Sequence, residues 1–416
     1  MKILYISRRF YPEVKGGGQI SAFHIAKSVQ KLGHETVVCT FTEKKDKIET
    51  IDGLKIYRLH IPELRLFPRL SNMDYMYLQM AKLASKIIKK TNPDIIHLLN
   101  FESIPLSSIY YKKRFRKPVV ATANGPQFGC FTGSGLDYKN DTCINCRILK
   151  RGLCSANEWG KLKGSAFYLY SIWYMEMLRF SYRYVDKFFP ISRAMALLLQ
   201  NMGVRKRKIK VIHNPIGQML KADKSKLQSL RKRYRHKKII ICASRLTKEK
   251  GVQYTLEALK YLPDNYILLI AGWGNYEAEL RELSNRHKIK DRVIFLGRIN
   301  NREMGTYYKL ADVFSHFPTF YEPFGRAIIE SMNMGTPVIA YPIAGIKDIV
   351  EYNKNGSLVN SRNPEKIAEK IKSLIINKDA YARYSKQGIE TVKEKFTNNV
   401  IGNAYIKEYK KVLEQD

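Results

Sequence analysis

The stretch Phe320-Tyr321-Glu322-Pro323-Phe324-Gly325-Arg326-Ala327-Ile328-Ile329-Glu330-Ser331-Met332-Asn333-Met334-Gly335-Thr336-Pro337-Val338-Ile339-Ala340 says most about the chain. Pro323 and Gly325 mark a turn, the residues after Gly325 have helical spacing, Gly335 stops the helix, and Val338-Ile339-Ala340 reads as a short buried strand. Glu322 falls in the turn and Glu330 eight residues on, about two turns along the helix at 3.6 residues per turn, so both carboxylates can face one cleft. The backbone N–H groups of Phe324, Gly325 and Arg326 fall at the helix start, where unpaired donors and the macrodipole favour a diphosphate. A carboxylate further along can accept hydrogen bonds from both vicinal hydroxyls of a ribose.

Working outward, strand-like and helix-like segments alternate along the whole chain, which argues for α/β layers. Residues 3–7 form a buried-strand run, Gly16-Gly17-Gly18 closes a loop, 19–32 is an amphipathic helix ended by Gly33, and 35–39 is a second strand. Further strands are expected at 54–59, 95–99, 119–123, 187–190 and 209–213. His213-Asn214-Pro215 then breaks the pattern. A second series has strands at 238–243, 266–271, 293–296, 313–316, 338–340 and 357–359, with helices at 251–261, 275–287, 364–376, 379–395 and 398–413. At 416 residues, two domains of roughly 200 residues each are the natural expectation.

Glu322, seven residues, Glu330 and then Gly335-Thr336-Pro337-Val338-Ile339 is similar to the signature of glycosyltransferase family 4, a GT-B family. The resemblance extends to Ala243-Ser244-Arg245-Leu246-Thr247-Lys248-Glu249-Lys250-Gly251, Ile270-Ala271-Gly272-Trp273-Gly274, Phe295-Leu296-Gly297, 341–350, and the start from Gly16 to Glu35, so it spans nearly the whole chain. It implies an α/β, GT-B architecture of two Rossmann-like, doubly wound domains facing across a cleft. The domains expected are 1–216, acceptor-side with a Cys-rich insert at 124–160, and 217–395, binding a nucleotide sugar, with 396–416 a helix crossing back. Arg245 and Lys250 would neutralise the donor diphosphate and stabilise it as leaving group. Glu330 would hold the ribose and Glu322 hydroxyls of the donor sugar, while Gly17 and Gly18 would admit the phosphates and Gly297 and Arg298 would lie by the base. No divalent metal is implied for catalysis. Taken singly, Arg245 or Lys250 is an ordinary loop charge, Gly16–Gly18 a plain turn, and a Glu pair common on surface helices; their joint order and intervals favour the family.

Where the family places a His after strand 119–123, this chain has Asn124, which can hydrogen-bond a sugar hydroxyl but cannot act as a general base. A front-face route with the leaving phosphate as base is unaffected. His97 ends a strand on the side where such sheets bind ligands, and a core His is its plainer reading.

There are 73 Lys and Arg against 37 Asp and Glu, a formal charge of +36, with the larger share in residues 1–218. Clusters lie at 112–117, 205–208 and 231–238. An anionic membrane carrying a lipid-linked acceptor, nucleic acid, and a merely solvated basic face all fit such charge. No zinc-finger, RNP or helix-turn-helix pattern supports nucleic acid. The aromatic run 167–184 reads as core, although Tyr and Trp beside basic clusters also suit a membrane interface. With no apolar run of about 18 residues and no signal-peptide pattern, a cytoplasmic protein, peripheral on the membrane's inner face, is expected.

Cys39 and Cys242 fall in strands as buried hydrophobes. Cys130, Cys143, Cys146 and Cys154 cluster, with Cys143 and Cys146 in a C-x2-C knuckle, which suggests a structural zinc site with four thiolate ligands; an iron–sulfur cluster, or free or disulfide-forming thiols, are the alternatives. The expectation is a retaining hexosyltransferase that takes a nucleotide diphosphate sugar, UDP- or GDP-linked, to a glycan or lipid-linked acceptor. A GT-B enzyme of another reaction type, such as a nucleotide-sugar epimerase, and a basic binding module without turnover are the rivals.

Overall fold

The computed structural model describes residues 1–13, 16–61, 70–139, 143, 146, 148–159 and 161–415. Part of the insert expected at 124–160 therefore lies outside the described residues, although its four cysteines lie within them. The chain divides into Met1–Gly217 with Asn398–Asp416, and Gln218–Thr397.

The first unit holds β1 (Lys2–Ser7), β2 (Glu35–Thr42), β3 (Lys47–Ile51), β4 (Leu54–His60), β5 (Ile95–Leu98), β6 (Val119–Ala123) and β7 (Lys187–Pro190). Their order in the sheet is β3-β4-β2-β1-β5-β6-β7, all parallel except the β3–β4 hairpin. Central strands are mostly apolar because helices cover both faces. The expected strand at 209–213 is reduced to one bridge, Phe188 to Ile209. Helix Asn398–Leu413 packs on helix Gly17–Lys31, where a Cβ on Gly402 would stand 2.8 Å from Leu32 Cδ1, so the helices touch almost backbone to side chain.

His97, next to last in β5, belongs to the core of this unit. Its Nδ1 lies 2.6 Å from the Tyr409 hydroxyl and its Nε2 2.8 Å from Thr122 Oγ1, while Tyr5 and Tyr405 extend the network to Tyr409 and Thr122 at 3.3 and 3.2 Å. Burial brings the imidazole down to about 3, so it is neutral. Helix Lys161–Tyr182 is two-faced: Tyr174, Met175, Leu178 and Tyr182 are buried, whereas Leu169, Trp173 and Phe180 are 69%, 52% and 45% exposed. No helix among the described residues is long and apolar enough to cross a membrane.

The second unit holds β8 (Lys238–Ala243), β9 (Tyr266–Ala271), β10 (Val293–Gly297), β11 (Val313–His316), β12 (Val338–Ala340) and β13 (Ser357–Leu358), in the parallel order β10-β9-β8-β11-β12-β13. Strand order reverses between β8 and β11, and their following loops leave the sheet on either side of a crevice at the carboxyl ends, the usual ligand position in an open α/β sheet.

Candidate functional site

That switch point is where Lys250, from the loop after β8, meets Glu322, from the loop after β11. The two loops are tied by backbone: the Thr319 N–H donates to the Glu249 carbonyl at 2.9 Å. Gly251 makes the approach possible, since its φ is +72° and a Cβ there would stand 1.8 Å from the Phe317 carbonyl oxygen. Lys250 Nζ lies 2.9 Å from Glu322 Oε2 and 4.3 Å from the centre of the Phe320 ring, so its ammonium is held by a carboxylate and an aromatic face. His316 Nε2 stands 3.4 Å from the same Glu322 oxygen. Burial alone would push the Glu322 carboxyl up, but Lys250 and then His316 outweigh it and bring it down to about 2.

The turn holding Glu322 is fixed from behind. The Gly345 N–H donates to the Glu322 carbonyl at 3.0 Å, and a Cβ on Gly345 would be 2.1 Å from the Pro323 carbonyl oxygen. Gly325, at φ +107°, caps helix Arg326–Asn333. The helix therefore starts four residues after Glu322, and Glu330 is about one turn into it rather than two. The two carboxylates consequently have different partners. Glu330 accepts from Arg326 Nε at 2.9 Å and from the Tyr308 hydroxyl at 3.3 Å. Arg245 lies exposed on the same loop as Lys250, and Gly297, at φ +64° with exposed Arg298, ends β10 at the sheet edge. The fold thus joins Lys250, Glu322 and the start of helix 326–333 in one place. Glu330 sits further along that helix, and Gly297 and Arg298 stand two strands away from β8 at the same edge.

In the first unit Gly17 opens helix Gly17–Lys31, and the Gly16 N–H donates to Gln19 Oε1 at 3.0 Å. A Cβ on Gly18 would lie 3.5 Å from Asn124 Nδ2, and that amide donates to the Leu99 carbonyl at 3.1 Å. Gly18 and Asn124 are therefore neighbours at the carboxyl ends of β1 and β6. The four clustered cysteines share a neighbourhood too: burial first, then Cys130, Cys146 and Cys143, push the Cys154 thiol up to about 11 against a backbone hydrogen bond at Tyr138. Among the described residues, however, no three or more His, Cys, Asp or Glu side chains are arranged to hold a metal ion. Cys39 and Cys242 are buried in their strands as expected.

Sequence reasoning missed two partners, His316 and Tyr308. His316 ends a strand at a sheet's ligand-binding edge, the same signal that singles out His97; Tyr308 lies on a neighbouring helix and nothing local marks it.

The Glycosyltransferase Family 4 model matches residues 15–217 and the Glycosyl transferases group 1 model residues 224–391. An uncharacterized glycosyltransferase of Methanocaldococcus jannaschii is 26% identical over 418 residues, 94% of this chain and 97% of the relative. A GDP-mannose-dependent alpha-(1-6)-phosphatidylinositol monomannoside mannosyltransferase of Mycobacterium tuberculosis is 31% identical over 182 residues, 41% of this chain and 47% of that protein. Among solved structures, HepE of Anabaena in complex with UDP and glucose superposes with a TM-score of 0.71 at 20% identity, covering 98% of this chain and 99% of that one.

Proposed function

Since the chain is a glycosyltransferase of family 4 type with the GT-B fold, we propose that it transfers a hexosyl unit from a nucleotide diphosphate sugar, with retained configuration, to a lipid-linked or surface-glycan acceptor. The observation that carries the reading is the convergence of Lys250, Glu322 and the start of helix 326–333 at the switch point of the second unit. The donor diphosphate sits against Lys250, Arg245 and the N–H groups around Gly325, where growing charge on the leaving group is stabilised as the bond to the anomeric carbon loosens. Glu322 receives hydroxyls of the transferred sugar and Glu330 those of the ribose. The acceptor oxygen bonds to the anomeric carbon on the face the phosphate leaves, and its proton passes to the departing phosphate oxygen. Asn124 orients a sugar hydroxyl without taking a proton. The UDP and glucose in HepE and the GDP-mannose dependence of the mycobacterial enzyme support a donor of this class.

An anionic membrane is the surface on which such an acceptor is met. The exposed Leu169, Trp173 and Phe180 stripe supports this, with Arg183 5.8 Å from the Phe180 ring and Lys113 5.6 Å from that of Tyr184. Vesicles containing phosphatidylglycerol should bind the protein and neutral phosphatidylcholine vesicles should not; Trp173→Ser with Phe180→Ser should weaken the binding. For the reaction, the pure protein is incubated with UDP- and GDP-sugars, with and without a lipid-linked acceptor, and the products' anomeric configuration is read by NMR. Retained linkage, lost in Lys250→Ala and Glu322→Ala, is the expected result. An epimerised sugar without acceptor, or no turnover and no effect of either substitution, rejects the transferase reading.

A further inference from the structure

Resting on that reading, one ammonium is asked to serve two anions. Lys250 Nζ is bonded to Glu322 at 2.9 Å, yet it is also the group that must face the donor diphosphate. Glu322 is 8% exposed, so it cannot replace a lost partner with bulk water. A buried carboxylate deprived of its cation is strongly destabilised, and diphosphate binding would carry that cost.

The structure sets a second group against the same oxygen. His316 Nε2 lies 3.4 Å from Glu322 Oε2, a long contact that leaves Lys250 as the main partner while the two are together. The two partners differ in stiffness. Lys250 reaches Glu322 along a four-carbon stem from a loop. His316 is the last residue of β11, is 7% exposed, and stacks on Phe314 with ring centres 6.1 Å apart and planes 25° from parallel. Its carbonyl accepts from the Tyr341 N–H at 3.0 Å, which ties this end of β11 to the chain leaving β12. The lysine is built to move and the histidine to stay.

We propose that His316 is a positioning residue that holds the Glu322 carboxylate in register for the donor sugar when Lys250 turns to the diphosphate. Glu322 is handed from ammonium to imidazole N–H, and its oxygens keep facing the sugar hydroxyls. His316 touches neither the diphosphate nor the sugar in this scheme; its effect passes entirely through Glu322.

The test uses the full chain, with UDP and GDP as binding probes and the turned-over donor sugar for kinetics. Gln can set its amide nitrogen where imidazole Nε2 stands, whereas Asn is one carbon too short. His316→Gln should therefore stay within about threefold of wild type, and His316→Asn should lose about tenfold or more in both nucleotide affinity and kcat/KM for donor, a factor worth about 1.4 kcal/mol. In a Glu322→Gln background, where no buried charge needs a partner, His316→Asn should change nucleotide affinity by less than twofold. Equal losses in the two backgrounds, or Gln and Asn variants that behave alike, would overturn the proposal. Because the Glu322→Gln background removes the charge that makes His316→Asn costly to the fold, the cycle still reports if the single variant is poorly stable. A wild-type protein that binds neither UDP nor GDP rejects the function itself, whereas normal wild-type binding with no difference between backgrounds rejects only the role of His316.

Discussion

Replacing Lys250 by Met removes the strongest stabilising influence on a buried carboxylate. In the intact protein Glu322 is lowered from 4.5 to about 2 although burial pushes it the other way. At 1.36 kcal/mol per pH unit, that preference for the charged form amounts to about 3 kcal/mol, and breaking a buried pair typically costs about 3–5 kcal/mol. Lys250→Met should thus lose about 3 kcal/mol at pH 7. The pH dependence gives a second, independent signature. A lowered carboxyl contributes stability above its unfolded pKa and loses it as pH falls toward 2, so Glu322 adds no slope in the wild type between pH 5 and 8. With Lys250 gone, only the long His316 contact opposes burial, so burial prevails and the carboxyl rises above its ordinary value. The native state then binds more protons than the unfolded one, and the deficit should shrink as pH drops from 8 to 5. Urea unfolding of the full chain followed by circular dichroism across that range measures both effects. Lys250→Met with Glu322→Gln should regain most of the stability while remaining inactive. A single variant within 0.5 kcal/mol of wild type at pH 7, or a deficit with no pH dependence, would refute the reasoning, since such small changes are ordinary for surface sites.

Gly251→Ala and Gly297→Ala form a contrasting pair, because both have positive φ but only the first Cβ meets an obstacle, the Phe317 carbonyl at 1.8 Å. Gly297→Ala should cost about 1–2 kcal/mol, whereas Gly251→Ala should push the two loops apart and cut kcat/KM for donor at least about tenfold, measured as the ratio of wild-type to variant kcat/KM. His97, lowered from 6.5 to about 3, contributes stability that is complete above its unfolded pKa and fades as pH falls toward 3. Between pH 6 and 3 it should add a slope of about 1.4 kcal/mol per pH unit, which His97→Asn should remove from acid-unfolding profiles. Zinc at Cys130, Cys143, Cys146 and Cys154 is a proposal that requires these thiols to draw together. Elemental analysis should find about one zinc per chain, and none, with four titratable thiols, would dismiss it.

Much of this was legible in one dimension. Strands such as Ile239-Ile240-Ile241 and Ile267-Leu268-Leu269-Ile270 are apolar runs buried on both faces, so they announce themselves. The segment Lys47–Ile51 did not, because its largely exposed β3 depends on the hairpin with β4 rather than on a core. The segment 209–213 looks like a strand, yet Lys208 and Lys210 flank its single bridge and charge does not suit a second buried edge. In the site, Lys250 and Glu322 were readable from spacing within their own loops. Their 2.9 Å contact was not, since the two residues are 72 apart in sequence and meet only because β8 and β11 are neighbours in the sheet. The same closure through space hid His316 and Tyr308, whereas His97 takes the plainer of its two sequence readings, as part of a tyrosine-lined core.

The last helix has a bearing on how the molecule is made. Residues 398–413 carry Tyr405 and Tyr409, which complete the interior of a unit whose other residues end at Gly217. During synthesis the ribosome therefore delivers all of Gln218–Thr397 before that interior can close, so the later-made unit is able to fold while the earlier one still waits. Until then Tyr5, His97 and Thr122 lack the tyrosine hydroxyls that they meet in the finished protein, so the unit begun first is completed last.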